Sequence, residues 1–357
     1  MTGNKEPLYQ QIVEALLEQI RDGRLEPGAR VPSQNELAKM YGVSEITSRR
    51  ALRELEERGA VRRIRGKGTF VSVQPKPGRV RGHIGFVLQH PLDVNEQVYN
   101  PYFMAALRGA AAAAALHGYK VTFQTVDAGQ GLLDAGHFDA WILGGTLHRP
   151  AVEALVKKRK PVVTLTSYFP DLDAPVVSFD NVAGGFLATS HLIELGHEDI
   201  AIVCPDQDSR REFGGRLRGY QLAMEQHELQ VGEGSFAHSL TTEAAGCEAA
   251  YALLRKRRPT AIVAATDTIA LGVLKAASRL GLRVPEDLSV VGYDDQPFAS
   301  HVAPALTTVR QDGHEVGRRA LEALKDMLDG QPPSQLRIEL RPKLVVREST
   351  RAVRAFI

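Results

Sequence analysis

The sequence predicts an α/β protein: a winged helix-turn-helix at the N-terminus, then a larger part of two lobes, each a doubly wound parallel sheet. Three observations predict it. Residues 33–73 hold two capped helix starts followed by a basic, glycine-tipped hairpin pattern. From His83 onward short apolar runs alternate with segments of helical period, as in a parallel sheet covered on both faces. Between them, residues 74–82 carry prolines and glycines and no apolar period, which marks a linker. At 357 residues and 43% apolar content the chain has room for two or three domains with substantial cores.

Pro7 opens a helix in which Leu8, Ile12, Leu16 and Ile20 recur every four residues, while Gln10, Glu14, Glu18 and Arg21 face out. Gly23 and Pro27-Gly28 close it, and Arg30-Val31-Pro32 continues extended. Ser33 with Glu36 three residues later is a capping box, so a helix runs from there to about Tyr41, where Gly42 breaks it. Ser44 caps the next helix. That helix buries Ala51, Leu52 and Leu55, turns Glu45, Ser48, Arg49, Arg53 and Glu56 away from the core, and ends near Gly59. Val61, Ile64, Phe70, Val71 and Val73 then read as strands around a tip at Gly66-Lys67-Gly68.

The charge of this stretch points to a polyanion. Between Ser44 and Arg81 stand eleven Lys and Arg against four Glu, and phosphate is the matching counter-ion. The second helix would enter a DNA major groove N-terminus first, with Arg49 and Arg50 following, and Lys67 would reach a backbone phosphate from the hairpin tip. A solvated basic face could carry the same charge, but it would not call for tandem caps and a glycine-tipped hairpin. The basic balance is local: residues 1–80 hold fifteen Lys and Arg against ten Asp and Glu, the remainder twenty-nine against thirty-two.

Beyond the linker, strands are expected at residues 84–88, 121–126, 138–143 and 161–165, with helices at 101–116 and 152–159 between them. A second set follows, with strands at 176–179, 200–203, 261–265 and 288–291 and helices at 182–195, 216–226, 242–255 and 268–280. A C-terminal piece, with strands at 306–309, 336–340 and 343–346 and a helix at 315–328, must be shared between the two sets.

Two families are resembled by these motifs. P-S-x-x-E-L-A from Pro32, G-V-S-x-x-T-x-R-x-A-L-x-x-L-x-x-x-G from Gly42 and G-x-G-T-F-V from Gly66 are similar to the GntR-type winged helix of bacterial regulators. That resemblance implies DNA contacts from Ser33 and Asn35, from Ser44, Thr47 and Arg49, and from the wing at Gly66 to Gly68. Many members carry Arg after the motif serine. Here Glu45 stands there, an acid that repels phosphate but can accept from cytosine N4, so the operator sequence is expected to differ.

Asn100-Pro101-Tyr102-Phe103, F-D-N-V-A-G-G-F-L-A-T-S-H-L-I-E-L-G-H from Phe179, R-L-R-G-Y from Arg216, D-T-I-A-L-G-V-L from Asp267, V-P-E-D-L-S-V-V-G-Y-D-D from Val284 and P-A-L-T-T-V from Pro304 are similar to the LacI/GalR effector domain, a periplasmic-binding-protein-like fold. The pairing of the two resembles the arabinose-repressor group. It implies a head at 1–73, a linker at 74–82 and an effector-binding and dimerisation domain at 83–357, with lobe 1 at about 83–178 and 307–334 and lobe 2 at about 179–306 and 335–349. Asp180, Arg216 and Asp294, with Tyr102 and Phe103 from the first lobe and Thr266 where the family usually has Asn, are then expected to meet an effector between the lobes. Sugar hydroxyls pair well with charged side chains, and open α/β sheets place ligands at strand carboxyl ends. The competing reading has Asp180 capping the next helix and Asp294 holding a turn. Thr241 falls near the usual aromatic stacking position and, with Thr266, makes an effector different from lactose-like sugars and purines the expectation; residues 127–137 are shorter than the family's full helix there.

Other chemistry finds no support. Two cysteines, Cys204 and Cys247, offer neither metal spacing nor a disulfide framework and read as buried fillers. The eleven histidines lack paired helical spacing, with His191 and His197 expected to be structural. No apolar run is long enough for a membrane, no secretory stretch opens the chain, and the glycine pairs make no dinucleotide or phosphate loop. The expectation is a cytoplasmic, non-enzymatic regulator without cofactor, acting as a homodimer on a pseudo-palindromic double-stranded DNA operator under a small sugar-like effector. A sugar-binding sensor that does not read DNA is the alternative.

Overall fold

The computed structural model describes residues 7–21, 24–26, 28–57, 60–64, 67–71, 81–90, 101–127, 137–205, 211–333 and 335–353. Gly66, Val73, Asn100, most of the linker and residues 128–136 lie outside the described residues.

The head comprises α1 (Leu8–Arg21), α2 (Gln34–Tyr41), α3 (Glu45–Glu57) and a hairpin of β1 (Val61–Ile64) with β2 (Gly68–Val71). The capping box forms: the Ser33 amide donates to Glu36 Oε2 at 2.6 Å and the Glu36 amide to Ser33 Oγ at 3.3 Å. Gly42, at φ +62°, closes α2 in the left-handed conformation that glycine allows. Ile12, Val13, Leu16, Leu37, Ala51, Leu55, Val61 and Val71 form one buried core. Two expectations fail. Leu8 is 57% exposed, because a strict four-residue repeat drifts ~40° per step around a helix of 3.6 residues per turn and the core stripe moves to Val13. Ser48, expected outside, is buried, and its hydroxyl donates to the Gln34 carbonyl at 2.8 Å, stitching α3 to α2.

The larger unit holds two six-stranded sheets. The first runs in the order β13 (Arg337–Leu340), β7 (Val176–Phe179), β6 (Val162–Leu165), β5 (Ala140–Gly145), β3 (Gly82–His90), β4 (Tyr119–Asp127). It is parallel throughout and covered by α4 (Pro101–His117), α5 (Arg149–Lys157) and α10 (Gly313–Leu328). The second runs β14 (Lys343–Val345), β12 (Thr307–Arg310), β11 (Ser289–Asp294), β10 (Ala261–Ala264), β8 (Ile200–Cys204), β9 (Phe236–His238). Only β14 is antiparallel in it, and α6 (Asn181–Glu194), α7 (Arg211–Gln226), α8 (Glu243–Lys256) and α9 (Asp267–Arg279) flank it. The central strands are buried on both faces, which is why they read as continuous apolar runs.

The chain crosses between lobes three times, and the expected division is wrong by one strand at two crossings. β12 belongs to the second sheet, beside β11, so only α10 returns to the first lobe. β13 belongs to the first, beside β7, so the second lobe regains the chain at β14. β13 forms an edge of the first sheet and β12 lies between β11 and β14 in the second, a tertiary choice that leaves no mark on their own residues. β9 was not expected: Phe236 and His238 are exposed and the strand is too short to show a pattern.

His191 and His197 are structural, as expected. His197 lies between the Thr260 hydroxyl at 2.9 Å and Ser289 Oγ at 3.0 Å, and His191 Nε2 meets Thr350 Oγ1 at 3.0 Å; burial holds both rings below the ordinary histidine pKa. Cys204 and Cys247 are free and buried.

Glycines bring α6 and α7 together. A Cβ on Gly185 would lie 2.1 Å from the Arg216 carbonyl oxygen, and one on Gly219 2.1 Å from that of Val182. Replacing Gly219 with Ala must force the helices apart, so Gly219→Ala should lower stability by ~1–3 kcal/mol in urea unfolding. An unchanged midpoint would mean that the helices yield without loss.

Candidate nucleic-acid interface and effector cleft

In the head, the expected DNA-contacting residues are drawn partly into local structure. Ser44 Oγ accepts from the Thr47 amide at 3.2 Å and lies 2.9 Å from the Thr47 hydroxyl, so it caps α3. Ser33 is occupied by its capping box, while Asn35 on the first turn of α2 is exposed. Arg49 Nε donates to Gln34 Oε1 at 3.3 Å, and the Arg50 guanidinium lies 3.9 Å over the Tyr9 ring. Lys67 is exposed at the turn, followed by Gly68 at φ +119°, a conformation that disfavours a side chain. Sequence reasoning missed a crevice of about 190 Å³ lined by Arg30, Ser33, Arg49, Arg53, Arg63 and Glu56 among others. Its only signal was the excess of arginine, since the elements that bring these side chains together are far apart in sequence.

In the larger unit, the second lobe gathers a polar cluster at the carboxyl ends of its parallel strands. Arg216, on α7, is 6% exposed. Its Nε donates to Asn181 Oδ1 at 3.0 Å, its Nη1 to the Ala265 carbonyl, and its Nη2 stands 3.6 Å from Asp294 Oδ1. The same guanidinium lies 3.9 Å over the Tyr293 ring. Asp294 ends β11 with φ +111°, and Asp295 follows at φ +52°. Strain of this kind persists only where the surroundings enforce it, and here Asp295 accepts from Arg310 Nε and Arg347 Nη2, each at 2.6 Å.

The other expected positions divide. Asp180 does cap α6, accepting from the Ala183 amide at 2.9 Å, and Thr266 caps α9, accepting from the Ile269 amide at 3.1 Å. Tyr102 belongs to the cluster electrically. Burial raises the pKa of its hydroxyl, followed by the charges of Glu212 and Asp294, while Arg216 opposes them. Phe103 does not join it. It packs in the first-lobe core, edge-on to Tyr102 at 5.3 Å and against Gly144, because consecutive helical residues point ~100° apart.

Asp267, Asn181, Tyr293 and Gln311 were missed as site residues. The first three sit inside the quoted motifs, each beside a residue that was singled out. Asp267 is fully buried, accepting from the Thr308 hydroxyl at 2.6 Å and the Gln296 amide at 2.7 Å. Gln311 Nε2 lies 3.4 Å from Asp294 Oδ1. Burial, reinforced by Asp294, pushes the Asp267 carboxyl from the ordinary 3.8 up to about 8. Burial pushes Asp294 up to about 6, with Arg216 opposing. For Arg216, burial works against the charge, yet Asp294, Tyr293 and Glu212 keep its pKa above the ordinary value.

Comparisons with known proteins agree with both halves. Residues 8–71 match the model of bacterial regulatory proteins of the gntR family, and residues 189–350 that of the periplasmic binding protein-like domain. An arabinose metabolism transcriptional repressor of Geobacillus stearothermophilus is 31% identical, over 97% of this chain and 98% of its own. A LacI-family regulatory protein of Chloroflexus aggregans has 30% identity and a TM-score of 0.66 over 74% of this chain and 98% of its own. The transcriptional regulator CelR in complex with cellobiose has 26% identity and a TM-score of 0.68, over 89% of this chain and 100% of its own.

The buried acid gives a pH signature. A carboxyl whose pKa is higher in the folded than in the unfolded chain contributes stability that is complete below the unfolded value and lost as pH rises through the folded one. For Asp267 that window runs from the ordinary 3.8 to about 8, each unit of displacement being worth ~1.4 kcal/mol. Asp267→Asn cannot ionise, so its melting temperature should rise relative to that of the wild type between pH 5 and pH 8. Parallel curves for the two proteins would show that Asp267 does not titrate in this range.

Proposed function

The chain belongs to the DNA-binding transcriptional repressors that join a gntR-type head to a periplasmic-binding-protein-like domain, and we propose that it is a cytosolic homodimer whose hold on a pseudo-palindromic operator is set by a sugar-like effector bound between its lobes. The observation that carries this reading is the buried Arg216–Asp294 pair, seated on Tyr293 at the strand ends, with the Tyr102 phenol of the other lobe within the field of its charges. A guanidinium, a carboxylate and two phenols form a site of fixed donors and acceptors beside aromatic faces, which suits a polyhydroxylated ligand. The relatives named for arabinose metabolism and for cellobiose make pentoses and glucose oligomers the first candidates.

The head carries the DNA contacts, with Ser33, Asn35, Ser44, Thr47, Arg49 and Arg50 on the helices and Lys67 and Gly68 on the wing. Effector favours the closed lobes and thereby alters the spacing of the two heads, and only its differential affinity for the closed state can do so, typically ~1–3 kcal/mol. The carboxylate of Asp294 is the polar anchor. Because Arg216 depends on it, the informative change is Asp294→Asn, which removes the charge but keeps the side-chain volume and an acceptor oxygen beside the guanidinium, where a truncation would also open a cavity.

Asp294→Asn protein should bind its operator with wild-type affinity in fluorescence anisotropy yet need far more effector for release. An unchanged effector midpoint would reduce Asp294 to a turn residue. Arg49→Ala should cost ~1–3 kcal/mol of operator affinity if Arg49 makes a bidentate base contact; unaltered affinity would remove Arg49 from the contact set.

A further inference from the structure

One side chain of α3 has the wrong chemistry for its place unless something covers it. Ile46 is 77% exposed, the highest value among the large apolar side chains described. The helix's own core is made by Ala51 and Leu55, both fully buried, and at ~100° per residue Ile46 lies on the face opposite Leu55. It shares that outer face with Arg49, Arg50 and Arg53, at spacings of three, four and seven residues. None of the three arginines forms an ion pair with a described residue; Arg49 is held by Gln34 and Arg50 by Tyr9.

The surface that covers this face must therefore be strongly anionic and yet present an apolar point near the start of the helix. A second copy of this chain does not fit, because like-charged arginines would oppose one another across a symmetric contact. A DNA major groove does fit. It is lined by phosphates, and its one apolar group is the thymine C5-methyl. Ser44 and Thr47 beside Ile46 have their hydroxyls hydrogen-bonded to each other, and Ile46 presents the large exposed apolar side chain of the first turn. We infer that Ile46 reads a thymine methyl in the operator and is a specificity-determining residue of the head.

The inference rests on the DNA-binding reading, and the test separates the two. A random duplex library is first selected with the full-length wild-type chain. Each thymine of the enriched sequence is then replaced in turn by deoxyuridine, which removes only the methyl, and affinities are measured by fluorescence anisotropy for wild type and Ile46→Ala. Wild type should lose about fourfold, the burial of one methyl group, at a particular thymine. Ile46→Ala should melt like the wild type, since its side chain is exposed, and should bind the thymine and uracil duplexes equally. Uracil tolerated everywhere by wild type, or an equal loss in Ile46→Ala, overturns the inference while leaving DNA binding intact. Failure to enrich any sequence would sink the DNA-binding reading and this inference with it.

Discussion

A buried guanidinium holds the second lobe in its working form. Taking Arg216 out of water costs several kcal/mol unless its donors are met and its charge is balanced. The partners that do so come from the start of α6, the loop after β10 and the end of β11. The glycine contacts between α6 and α7 exist in the same cause, since Arg216 reaches Asn181 only if the two helices touch backbone to backbone. The polar cluster is thereby ordered by the chain itself, and a ligand bound there as proposed would not have to order it.

The positive φ of Asp294 follows from this arrangement. A strand end that continued extended would carry its carboxylate away from Arg216; the left-handed turn keeps it, and the paired Arg310 and Arg347 on Asp295 hold the turn in place. Arg310 sits on β12, next to the passage of the chain back to the first lobe. The charged series Arg216, Asp294, Asp295, Arg310 therefore joins the polar cluster of the second lobe to the connection between the lobes.

Most of the architecture was legible from the chain because its causes are local. The capping box at Ser33 and Glu36, the break at Gly42, the basic hairpin and the apolar strands are written in neighbouring residues and appear where expected. What stayed hidden depends on partners distant in sequence. Nothing in residues 307–310 or 337–340 says which sheet they join. Asp267 looks like an ordinary first-turn acid until Thr308 and Gln296 close over it. Phe103 and Tyr102 were expected together from the family motif, whereas neighbouring positions on a helix point apart, and Phe103 turns into the first-lobe core. Asp180 shows the converse: the capping role that competed with a ligand role is present, and a carboxylate that caps a helix still has a second oxygen to offer.

The three crossings run side by side. Phe179 pairs with Leu340 at the first and third, and Arg310 with Lys343 at the second and third. A single thread would let the lobes swivel and slide; three strands abreast resist shear and torsion, leaving bending across the strap as the one soft degree of freedom. The proposed closure would then run along a single coordinate, with little chain entropy to lose. An insertion or deletion in any one crossing would not loosen the lobes but jam them, since the two unaltered strands would still fix the distance that the third no longer fits.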